Sequence, residues 1–198
     1  GWGQHIPRTV MVDLEPTVLD EIRNGATREL HHPNSLISFS EDASNNFARG
    51  FFTVGQLATD TVAERFRNVF EICDSVQGIM IFRALAGGTG TGLTSALFEY
   101  LCDYGKIPRF EASILPSPTL STSIVEPYNC LLGQHYCMDD IGMCVFLDNE
   151  ALYDCIVKFL GLATPSYTNL NRIVCQALSS LSTSIRFQSF LYNDFVHL

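Results

Sequence analysis

The apolar positions of this chain change period several times, and each change marks an element. Thr9-Val10-Met11-Val12 is a short, mostly β-branched run closed by Asp13, the pattern of a buried strand. Pro16 suits the first turn of a helix that Asn24-Gly25 stops. The stretch from Arg28 to Asn46 is polar, shows no clear period and reads mostly as loop. From Phe52 onward, Val54, Leu57, Ala58, Val62, Phe66, Val69 and Phe70 recur at helical spacing, with Gly78 as the stop. Ile79-Met80-Ile81-Phe82 is a second apolar strand, and Leu93, Ala96, Leu97, Tyr100 and Leu101 mark one face of the next helix. Ala112-Ser113-Ile114-Leu115 and Met143-Cys144-Val145-Phe146-Leu147 read as two more strands, with a helix after Pro127 between them. A helix from Glu150 follows. The last helix is long, with Leu170, Ile173, Val174, Ala177, Leu178, Leu181 and Ile185 on its expected buried face.

Strands apolar on both faces and alternating with helices predict an α/β fold, a doubly wound and mainly parallel sheet flanked by helices. Ligands of such folds bind beyond the carboxyl ends of the strands, and the polar and glycine-rich segments fall there. No internal repeat, linker or low-complexity tract interrupts the pattern.

Composition narrows the function. The 198 residues are 46% hydrophobic and 17% charged, an ordinary globular balance. A net charge of −9 argues against a nucleic-acid partner, which needs clustered Lys and Arg. No apolar run reaches membrane-spanning length and no signal-peptide pattern opens the chain, so a soluble, cytoplasmic protein is expected. The seven cysteines are scattered without a C-x-x-C pair and read as reduced core thiols. His31, His32 and His135 lack partners at metal spacing.

Gly87-Gly88-Thr89-Gly90-Thr91-Gly92 carries the chemistry. A strand enters it and a helix leaves it. Residues without Cβ let the backbone approach an anion and take positive φ, while successive N–H groups and the helix start point at phosphates. The plainer reading is a tight turn before a helix. The dinucleotide fingerprint fails because Leu93 stands where its last glycine belongs, and a Walker loop fails because no Lys follows.

Other polar residues leave alternatives open on chemistry alone. Asp13 and Glu15 suit Mg²⁺ or a solvated acidic turn. Asp42, Ala43 and Asn45 fit ordinary turn chemistry. Thr122 and Glu126 fit sugar oxygens or a helix start. Asn149 and Asn171 offer amides that can match a base edge, and Tyr167 offers a ring that can stack, or they are caps and core.

The segments together resemble the tubulin family. Ala86-Gly87-Gly88-Thr89-Gly90-Thr91-Gly92 is similar to its GGGTGSG loop. Val12-Asp13-Leu14-Glu15-Pro16-Thr17, Glu41 through Gly50, Val125-Glu126-Pro127-Tyr128-Asn129, Asp148-Asn149-Glu150-Ala151 and Tyr167 through Arg172 resemble other family segments in the same order. Thr17, Asp42, Leu93-Thr94-Ser95 and Thr168-Asn169-Leu170-Asn171-Arg172 resemble the α type more than the β type.

The resemblance implies a tubulin-type GTPase domain that binds GTP and Mg²⁺. It implies a β-type subunit as heterodimer partner, a microtubule polymer and a place in the cytoskeleton. It implies Glu15 near Mg²⁺ and phosphate, with Asp42, Ala43, Asn45, Gly87, Gly88, Thr89 and Gly90 around the phosphates. Thr122 and Glu126 are implied on the ribose side, Asn149 and Asn171 as guanine readers and Tyr167 as the stacking ring. Catalysis in the family needs no covalent nucleophile.

Departures qualify this. Ala86 replaces the first glycine of the loop. Ala84 stands where the α type has a serine touching nucleotide, and losing such a bond costs about 1.5–3 kcal/mol. His197 occupies the position of the glutamate that acts on the next subunit's GTP, so no catalytic residue is assigned. Residues 1–186 are expected to form the nucleotide domain, and 187–198 the start of a connection to a second domain. The chain reads as a piece lacking the family's first strand, whose neighbours would then keep unpaired edges. The alternative function is a truncated, non-polymerising product with weak or no GTP binding. A Rossmann oxidoreductase is disfavoured by the glycine spacing.

Overall fold

The computed structural model describes residues 6–105, 107–119, 121–162 and 164–187. Along the chain run β1 (Met11–Asp13), α1 (Thr17–Asn24), β2 (Leu36–Ser38), α2 (Val54–Glu71), β3 (Ile79–Ala84) and α3 (Thr94–Cys102). They are followed by β4 (Arg109–Leu115), α4 (Glu126–Cys137), β5 (Met143–Asp148), α5 (Asn149–Leu160), α6 (Tyr167–Leu181) and α7 (Thr183–Arg186). Every strand pairing is parallel, and helices connect the strands, as the alternating pattern predicts.

Among the described residues the sheet comes in two pieces. β1 pairs with β2, and β3, β4 and β5 pair in that order. Backbone register runs from Ile79 opposite Arg109 to Ala84 opposite Ile114, then from Phe110 opposite Met143 to Leu115 opposite Asp148. The carboxyl ends of β3, β4 and β5 therefore line up. No strand joins β1 to β3. The two pieces are instead bound by a shared core, in which Leu14 and Ala43 meet Ala58 and Val62 of α2 and Leu93 and Leu97 beside and within α3.

The larger piece holds a buried ion pair. Arg83 donates through Nε and Nη2 to the two carboxylate oxygens of Glu111, at 2.8 and 3.0 Å. Both side chains are essentially inaccessible to water. Ser113 and Gln134 also donate to Glu111 Oε1, and Arg83 Nη1 reaches Cys137 Sγ at 3.4 Å. Two charges in low dielectric hold only when bonded from several sides, and this pair is so bonded.

Four details depart from the sequence reading. β2 lies inside the segment expected to be loop, because three residues between turns carry too little pattern to register; pairing with β1 makes it a strand. α2 ends at Glu71 rather than running to Gly78, and Leu57 on its expected apolar face is 80% exposed. The final helix breaks at Ser182, and of its expected buried face only Leu170 is fully covered. All seven cysteines are free, as expected, yet Cys137 alone is buried, and Cys102, Cys155 and Cys175 are exposed. Burial, with Glu111 adding and Arg83 opposing, pushes the Cys144 thiol up to about 11.

Replacing one partner of the ion pair strands the other charge. Glu111→Gln is expected to cost about 3–5 kcal/mol, while the double replacement Arg83→Met/Glu111→Leu is expected to be close to neutral. Pulse proteolysis in urea measures both; equal losses in single and double variants would contradict the pair's role.

Candidate functional site

The site grows from the end of β3. The N–H of Leu85 still bonds Ile114 O, at 2.9 Å, as the last link to β4. Beyond it the chain leaves the sheet, and a helical turn begins at Gly88 and opens into a π-helical turn, Thr89–Leu93, that leads into α3. The N–H groups of Ala86 and Gly87 donate to no backbone acceptor among the described residues. Unpaired donors followed directly by a helix start form an anion cradle. Thr91 Oγ1 donates to Gly87 O at 2.6 Å and Ser95 Oγ to Thr91 O at 2.8 Å, which ties the loop to α3.

A second loop faces the first. Ser44 and Asn45 hold left-handed backbone, with φ of 50° and 52°. Asn46 then starts a helical turn, its Oδ1 accepting the Ala48 N–H at 2.9 Å. The two loops touch closely. A Cβ on Gly88 would lie 2.6 Å from Asn46 O and 2.8 Å from Ala43 Cβ. Positive φ was one expected reason for the glycines, but none of the loop glycines adopts it; the left-handed residues are Ser44 and Asn45 opposite. The glycines are there for close approach of backbone to backbone. Ala86, likewise free of positive φ, is accommodated at the first loop position. Gly87 differs, since its Cβ position meets only Asn45 Oδ1, at 3.7 Å. Its open side faces the space between the loops.

One residue missed by the sequence reading joins these parts. Asn129 of α4 is 3% exposed. Its Oδ1 accepts the Phe47 N–H at 3.0 Å, and its Nδ2 donates to Asn45 O at 2.7 Å and Ala86 O at 2.9 Å. The only sequence signal was its place inside the Glu126-Pro127-Tyr128-Asn129 segment.

The remaining predicted residues surround this centre. Glu15 is exposed after β1 and accepts from Thr17 Oγ1. Asp42 is exposed and Ala43 fully buried. Thr89 and Gly90 occupy the first π-helical positions. Glu126 is buried, and its Oε1 caps the N–H groups of Thr122 and Ser123, both at 3.2 Å. The carboxylate thus ties down the loop before α4, and no side chain caps the helix start itself. Asn149 is the first residue of α5, beside Asp148, which accepts from Glu150 N–H at 2.9 Å. Tyr167 opens α6 with 68% of its surface exposed, its ring 6.5 Å from that of Tyr153, and Asn171 is exposed one turn on. The structure brings together Ala43, Asn45, Gly87 and Gly88. No hydrogen bond or ring contact among the described residues ties Glu15, Asn149, Tyr167 or Asn171 to them. His197 lies outside the described residues.

The donor set fits a nucleotide phosphate: free N–H groups, a helix start and an open glycine. Among the described residues no three His, Cys, Asp or Glu side chains gather to hold a metal alone. The exposed Glu15 carboxylate is a hard oxygen donor of the kind Mg²⁺ takes. No helix among the described residues is long and apolar enough to cross a membrane.

Gly88→Ala drives a methyl into the backbone opposite and is expected to destabilise the fold by about 1–3 kcal/mol. Gly87→Ala is expected to leave stability unchanged and to weaken phosphate binding. Proteolysis in urea beside a nucleotide titration separates the two, and equal stability losses would contradict the interlock.

A comparison with protein-family models matches residues 1–157 to the model described as Tubulin/FtsZ family, GTPase domain.

Proposed function

This chain belongs to the tubulin/FtsZ family, and from that premise we propose that it is a GTP-binding cytoskeletal subunit of α-tubulin type. In this reading it pairs with a β-type subunit in a heterodimer, enters a microtubule polymer and works in the cytoplasm. The observation that carries the nucleotide reading is the cradle after β3, where Ala86 and Gly87 offer unpaired N–H groups opposite Asn45. Gly87, Gly88, Thr89 and Gly90 hold the phosphates from one side, and Asp42, Ala43 and Asn45 close on them from the other. Glu15 would hold Mg²⁺, whose charge would offset the chain's own negative field. Thr122 and Glu126 lie toward the ribose. Asn149 and Asn171 read the guanine edge, and the exposed ring of Tyr167 stacks on the base. Residues 1–186 make up one nucleotide domain.

Among the described residues β1 and β3 each leave one edge unpaired, which favours a second reading, a tubulin-like product with weak or no GTP binding that does not polymerise.

Calorimetric titration with GTP and ATP, with Mg²⁺ and after its chelation, decides between them. The first reading expects a dissociation constant of about 1 μM or tighter for GTP, preference over ATP by at least about ten-fold, and weaker binding without Mg²⁺. Binding much weaker than this, or without preference for guanine, favours the second.

A further inference from the structure

Among the described residues, the Asn129 side chain bonds three backbone groups on the two loops of the site. Its partners are Phe47, Asn45 and Ala86, which lie 82, 84 and 43 residues away in sequence. The orientation of its amide follows from those partners, because an N–H must meet Oδ1 and two carbonyls must meet the NH₂ group. With three bonds made inside a nearly water-free pocket, the side chain is close to fully satisfied. Taking it away leaves one buried donor and two carbonyls without partners, each a costly loss.

We propose that Asn129 is a positioning residue that sets the spacing of the two phosphate-facing loops, so that its amide governs affinity for the phosphates and not for the base. The proposal rests on the GTP reading given above. Three observations lead to it. The Asn45 carbonyl belongs to a residue in left-handed backbone, a conformation uncommon outside glycine that asparagine adopts more readily than most, so the bond to Asn45 O holds the tip of the turn. The Ala86 carbonyl belongs to the residue whose own N–H is unpaired, so a bond to Ala86 O fixes the peptide next to the cradle. The Phe47 N–H is the first donor of the helical turn that Asn46 caps, so Oδ1 fixes where that turn begins. The tight fit of Gly88 against Asn46 and Ala43 limits how closely the loops approach. Asn129 is the tie that stops them moving apart. No hydrogen bond or ring contact among the described residues links Asn149, Asn171 or Tyr167 to it, so the tie is expected to leave the base side unaffected.

The experiment uses the full chain and titrates it with GTP and with guanosine, which lacks phosphates. Asn129→Leu removes all three bonds. Asn129→Asp is isosteric, keeps the bond to Phe47 and sets an oxygen against two carbonyls. In both variants the ratio of GTP affinity to guanosine affinity is expected to fall by at least about ten-fold, with guanosine binding unchanged within about two-fold. A folded variant that keeps the ratio, or loses both ligands equally, overturns the proposal. Hydrogen exchange in the unmodified chain gives a reading that needs no variant. The Phe47 N–H is expected to be protected before nucleotide is added, and exchange at the rate of an open loop overturns the proposal. An unmodified chain that fails to bind GTP sinks the GTP reading and this inference with it, whereas normal binding with an unaltered variant ratio sinks the inference alone.

Discussion

Among the described residues the two pieces of sheet share no strand, and close contact between two backbones joins them. The glycine loop after β3 and the loop after β2 meet where Gly88 lies against Ala43 and Asn46, and where Gly92 approaches Phe47 and Phe51. Side chains at either glycine would force the segments apart. The same contact closes the apolar core, because Ala43 and Leu93 sit at its two ends and pack with Leu14 and Leu97. The contact that joins the pieces of the fold thus also builds the walls of the candidate site, and a change at one acts on both.

Around that contact the polar groups are sorted by whether protein satisfies them. Glu111 and Arg83, deep between β3 and β4, are saturated by each other and by Ser113, Gln134 and Cys137. Glu126 is turned back onto its own loop. Asn129 spends its amide on three backbone groups. The N–H groups of Ala86 and Gly87 are not used in this way, since neither bonds backbone among the described residues. Two such donors at a helix start are an arrangement that suits an anionic ligand.

Charge fits the same arrangement. With 21 acidic against 12 basic residues, the chain's overall field repels a phosphate. The proposed nucleotide site would therefore rely on short-range dipoles and on a cation, for which the exposed carboxylate of Glu15 is the candidate ligand. The region proposed to meet the base is more open. Tyr167 and Asn171 stand exposed on α6, a helix that buries little beyond Leu170.

Local pattern by itself determined much of this protein. The strands β1, β3, β4 and β5, most of the helices and the glycine loop between β3 and α3 were legible, because a buried parallel strand needs a continuous apolar run and a glycine cluster marks a tight passage from strand to helix. The family too was legible, in the ordered segments from Val12 to Arg172. Tertiary structure decided the rest. β2 exists through pairing with β1, a long-range bond that three residues do not announce. The loop glycines proved to serve contact with Asn46 and Phe47 rather than positive φ, since sequence shows a missing Cβ but not what lies across from it. Asn129 was hidden for the same reason: an amide in a helix becomes a tie only when folding brings three distant backbone groups within about 3 Å of it.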